Sequence, residues 1–162
     1  NKAWDGGGQK QVSIVTGIGG QNVGTLLDLN WYIYEAKDYL PYRAGVIQLF
    51  YLFALFKSNS LNEGFDLLVV NIPSIEQIST NHQKKFISRY TTVNATFFNF
   101  NKQRTDVAII ANKLQLNYLD LYDISKERES LYLVNDWHWS EEGVDLATEE
   151  IYKKLKQLSW VK

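Results

Sequence analysis

At 162 residues the chain is long enough for one domain with a core of its own and too short for two. Its 45% hydrophobic and 22% charged content is globular, and a net charge of −1 with the two signs interleaved offers no basic face to a nucleic acid. Cysteine is absent, which excludes disulfides, thiolate catalysis and cysteine-based metal sites, and two histidines are too few for a histidine-rich one.

Residues 1–11 are polar and glycine-rich and are expected to be flexible. Methionine is absent even at position 1, so the chain is expected to be a processed or truncated piece of its gene product. Residues 12–16 (VSIVT) read as a short strand running into the loop GIGGQN, and 26–39 as a helix. Pro41 suits the first turn of a further helix, where its missing N–H costs nothing. Its run 44–56 (AGVIQLFYLFALF) is apolar all round, which predicts a buried helix. The run falls short of the roughly 20 residues that span a bilayer, so no membrane span is expected.

Residues 65–71 (FDLLVVN) form a continuous branched-apolar run, as in a strand covered on both faces, closed by Ile72, Pro73 and Ser74. A polar-faced helix is expected over 75–90. Val107, Ile110, Ala111 and Leu114 then recur at i, i+3, i+4, i+7, the helical signature, before a short strand at 118–121. In the last helix Ser140 is the expected N-cap. Glu141 and Glu142 lie at the positive end of its dipole, and Lys153, Lys154 and Lys156 lie near the negative end. Its buried stripe would be Val144, Ala147, Ile151, Leu155 and Leu158. Strands alternating with helices predict one α/β domain over 1–162, a sandwich with a mostly parallel sheet.

The segment 135–140 (NDWHWS) enters that last helix, where open parallel sheets build their ligand sites. His138 can take a proton from a hydroxyl nucleophile if a carboxylate holds its tautomer, and Asp136 is two residues away. Trp137 and Trp139 would lower the dielectric around the pair. The plainer alternative is that Asp136 caps a turn and His138 is a loop residue. His82, in the polar segment TNHQKK, is expected to be solvated.

Residues 131–155 (LYLVNDWHWSEEGVDLATEEIYKKL) resemble the last block of the SGNH (GDSL-like) hydrolase superfamily, in which Asp and His precede a glycine and the closing helix. The D-x-H spacing is most similar to the branch containing alginate and related polysaccharide O-acetyltransferases; the commoner esterase spacing is D-x-x-H. Residues 65–77 (FDLLVVNIPSIEQ) and 116–123 (LNYLDLYD) look like the strand segments before that block. Residues 12–27 resemble the second block, with Gly20 at the position whose backbone N–H helps form the oxyanion hole and Gly19 in place of the usual serine. The resemblance implies a three-layer, SGNH/flavodoxin-like sandwich with His138 and Asp136 as catalytic acid–base pair. It also implies an acylated carbohydrate or small ester as substrate, no cofactor, and a place outside the cytoplasm: periplasm, cell envelope or medium.

Two parts of the family pattern are missing. No strand ends in G-D-S with the nucleophilic serine, and no G-x-N-D block follows; Asn30 and Asn71 are misplaced for it. The serine is then expected before residue 1, or lost, or replaced by Ser74, which follows a strand. Ser140 is better used as a cap. If the N-terminal strand is missing, a protein partner is expected to complete the sheet. Trp137 and Trp139 would form a substrate rim. A sequon at Asn94 carries little information.

Overall fold

The computed structural model describes residues 33–37, 40–89, 95–134 and 136–161. The expected strand at 12–16, Gly20 with its loop, most of the helix expected at 26–39, and Asn94 lie outside the described residues. The described chain is mixed α/β and mostly helical, around a small two-stranded parallel sheet.

Helix α1 spans Leu40–Glu63 and leads through Gly64, in the left-handed region at φ 71°, to strand β1, Leu68–Asn71. Short helix α2 (Ile75–Ile78) and helix α3 (Thr80–Ser88) follow. Helix α4 (Lys102–Lys113) then crosses to strand β2 (Asn117–Asp120), the short helix α5 (Tyr122–Ser125) comes next, and α6 (Glu141–Gln157) closes the chain. The strands pair in parallel from Leu68 opposite Asn117 to Asn71 opposite Asp120, with α4 packed on both. Each strand is shorter at one end, or shifted by one residue, compared with its apolar run. A strand exists only where a partner supplies the ladder, and here that ladder is four residues long.

The helix expected over 75–90 is two helices. Ser79 breaks it, with φ −114° and ψ 117°, and serves both sides at once: its N–H caps the end of α2, and its hydroxyl accepts from the His82 N–H at the start of α3. The hydroxyl also donates to Glu129 at 2.5 Å, and His82 Nδ1 lies 3.1 Å from it. His82 is therefore part of a capping cluster rather than a solvated side chain.

Two apolar clusters hold the elements. Tyr34, Phe86, Phe98 and Phe100 pack mostly edge-to-face, with centroids 4.8–6.2 Å apart. Ile75, Ile78, Leu131 and Tyr132 form the second cluster, joining α2 to the turn before the last helix. Each such burial contributes about 1.5–3 kcal/mol.

Helix α1 corrects the expectation of a buried helix, because none of its residues is buried. Leu40, Ile47, Tyr51, Leu52, Leu55 and Phe56 are exposed. The helix is held along one side by polar contacts: Tyr42 donates to Asp106 at 2.6 Å, and Lys57 to the Leu114 carbonyl at 2.5 Å. Among the described residues it is the one helix long and apolar enough, by length and composition, to cross a bilayer. That is weak evidence for a span, since charged Arg43 and Lys57 bracket a run of only thirteen residues, 44–56.

Candidate active site

The turn from Leu131 to Ser140 is closed by backbone bonds that dictate where His138 sits. Tyr132 and Trp139 face each other in an antiparallel bridge. The Leu133 N–H donates to the His138 carbonyl at 3.0 Å, and the Ser140 N–H to the Leu131 carbonyl at 2.9 Å. Ser140 caps α6 as the sequence predicts, accepting from the Gly143 N–H at 3.3 Å and donating to the Ser130 carbonyl at 2.6 Å. Gly143 packs so close to the Leu131 carbonyl that a Cβ there would collide with it.

Within this frame Asp136 and His138 meet. Asp136 Oδ1 accepts from the His138 backbone N–H at 3.1 Å and lies 2.5 Å from His138 Nδ1. The carboxylate thus holds the proton on Nδ1 and leaves the Nε2 lone pair as the basic site. The hydrogen bond from His138 holds the Asp136 carboxyl below the usual carboxylate range. The pair is open to water, with the His138 side chain 85% and the Asp136 side chain 47% exposed.

His138 lines an apolar cleft of about 530 Å³ beyond the carboxyl end of β1. Ile72, Pro73 and Ser74 form one wall, Trp137 and Trp139 another, and Val144, Ala147 and Thr148 of α6 a third. Tyr132, whose hydroxyl donates to the Pro73 carbonyl, ties the first wall to the second. Burial pushes that phenol up to about 12, opposed by the Trp139 indole.

The cleft gathers His138, Ser74, Trp137 and Trp139, with Asp136 behind His138. The two tryptophans differ in kind. Trp137 is 54% exposed and forms a rim, whereas Trp139 packs its ring on Tyr132 at 6.0 Å and belongs to the wall. Ser74 is in the cleft but its oxygen is engaged. It caps α2 in a reciprocal box with Gln77, and shares a 2.6 Å hydrogen bond with the Tyr34 hydroxyl. Tyr34 is itself buried, and its phenol is raised by that burial and by the Glu76 carboxylate.

Gln77, Gln103, Thr148 and Tyr132 also line the cleft and had no sequence signal of their own. Val144 and Ala147 did carry one, but it read as core: Val144 is 52% exposed and faces the cleft. A helical stripe looks the same whether it meets a core or a pocket wall. Among the described residues no group of three or more His, Cys, Asp or Glu could hold a metal ion.

In comparison with protein-family models, curated proteins and solved structures, no family, protein or structure matches the chain.

Proposed function

We propose that this chain is an SGNH-type domain of a three-layer α/β sandwich that hydrolyses or transfers an acyl group, with His138 and Asp136 as its acid–base pair. The observation that carries the reading is the 2.5 Å contact between Asp136 Oδ1 and His138 Nδ1, with His138 on a cleft beyond a parallel strand's carboxyl end. In this reading His138 Nε2 takes the proton of a serine hydroxyl as its oxygen bonds to the ester carbonyl carbon. It returns the proton to the leaving alkoxide when the C–O bond breaks. Asp136 stabilises the imidazolium between those steps. Water as second acceptor makes an esterase; a sugar hydroxyl makes an O-acetyltransferase acting on acylated carbohydrate outside the cytoplasm.

The engagement of Ser74 favours a second reading. Its hydroxyl caps α2 and bonds Tyr34, so the described residues hold an acid–base pair without a free serine in the cleft. The domain then binds a glycan or protein partner without chemistry.

Turnover of an aryl acetate, with labelling by a fluorophosphonate, separates the two. The enzyme reading expects His138→Ala to lower turnover about 100- to 10,000-fold, the range for a positioned general base. An intact chain that neither turns over nor labels would falsify it.

A further inference from the structure

Most polar side chains on the wall of the His138 cleft are already committed to partners inside the protein. The Ser74 hydroxyl shares its 2.6 Å bond with Tyr34 and accepts from the Gln77 N–H, while the Ser74 N–H donates to Gln77 Oε1 at 2.7 Å. The Tyr132 hydroxyl donates to the Pro73 carbonyl. The Thr148 hydroxyl donates at 2.8 Å to the Val144 carbonyl, one turn back on its own helix. The rest of the wall is hydrocarbon and indole, from Ile72, Pro73, Val144, Ala147 and the two tryptophans. Exposed Gln103 and His138 Nε2 are the polar groups left open to a ligand among the described lining residues, and none of those residues is a lysine or arginine.

That inventory selects among ligand chemistries. A sugar ring carries a hydroxyl on nearly every carbon, and in this cleft those groups would leave water without new partners. A phosphate or carboxylate would leave water without a counter-charge. An uncharged alkyl chain gives up no hydrogen bond and removes apolar surface from water on both sides. At about 530 Å³ the cleft falls in the range of pockets that enclose whole small ligands, roughly 300–1,000 Å³, of which an acetyl methyl would fill little.

We propose that the cleft seats an uncharged linear acyl chain longer than acetyl, with Val144 setting how much of the chain it accepts. Val144, Ala147 and Thr148 stand at i, i+3 and i+4 and present one face of α6 to the cleft. Val144 is the half-exposed member, so a larger side chain there takes cleft volume without entering the core. The alcohol part of such an ester stays outside, where half-exposed Trp137 forms the rim. Placing the ester carbonyl at His138 rests on the catalytic reading; the seating of the chain does not.

Neutral primary amides test the seat without turnover. Butanamide, hexanamide and octanamide, titrated into the full-length protein, should shift the Val144, Ala147 and Thr148 amide signals. Affinity should rise about fourfold for each added methylene, the factor that burial of one CH₂ brings. Glucose should leave those signals in place, and Val144→Phe should flatten the gain between hexanamide and octanamide. Amides that do not bind at the cleft, an affinity independent of length, tighter binding by glucose, or an unchanged series in Val144→Phe overturns the proposal. With aryl acetate, butyrate and hexanoate as substrates, kcat/KM should climb with chain length. Turnover of the acetate alone overturns the proposal and upholds the catalytic reading. Length-dependent amide binding without turnover of any ester upholds the proposal and counts against the catalytic reading alone.

Discussion

The Tyr34 hydroxyl and the Ser74 Oγ, forty positions apart in sequence, are 2.6 Å apart in space. The bond links the aromatic cluster of Phe86, Phe98 and Phe100 to the wall of the His138 cleft. Tyr34→Phe keeps the ring packing and removes only this link. It should cost about 1 kcal/mol, the net worth of a typical hydrogen bond, read as a lower urea midpoint at unchanged m-value.

Gly143 tests how the last helix is seated. Glycine to alanine inside a helix ordinarily stabilises by up to about 1 kcal/mol. Here the new Cβ meets the Leu131 carbonyl, part of the turn that carries His138. Overpacking of that kind costs about 1–3 kcal/mol and should win. Gly143→Ala is expected to lower stability in urea and to shift the amide signals of 131–140. A more stable variant would show that the turn yields freely.

Lys102 is a nearly buried cation that no apolar pattern announces, being 7% exposed. Its ammonium donates to the Glu35 and Lys37 carbonyls and lies over the Tyr42 ring. Lys102→Met keeps most of the stem but loses charge-assisted bonds worth about 1.5–3 kcal/mol. Denaturation should show a loss of that order, larger than for a surface lysine such as Lys84.

Glu129 has an acid signature. The hydrogen bond from Ser79 holds its carboxyl below the usual range. A depressed folded-state pKa contributes stability above the unfolded value, near 4.3, that is lost as pH falls through the folded one. Ser79→Ala removes that bond together with the cap of α3, and should cost about 1–2 kcal/mol at pH 7. The deficit should narrow in urea titrations repeated below pH 4; a constant deficit would leave only the cap.

Asp136 behaves alike at the candidate site. Its carboxyl titrates below the ordinary aspartate range because His138 donates to it, so the pair persists as pH falls past 4. Carboxyl NMR should place the Asp136 midpoint below 3.9, and His138→Ala should raise it.

What was legible in the sequence is what short-range physics controls. Ser140 caps α6, and Asp136 reaches His138, because both need only two or three residues of backbone in a turn. Among the described residues, the places of β1, α4, β2 and α6 followed from apolar pattern for the same reason. Tertiary structure decided the rest. Ser79 ends one helix and opens the next while its hydroxyl also reaches Glu129, fifty residues on. Val144 is half exposed and lines a cleft that residues 72–74 also line, rather than a core. Ser74 and His138 share that cleft because Tyr132 reaches across to the Pro73 carbonyl. Sequence spacing encodes which face a side chain occupies; only the packed chain decides what stands opposite that face.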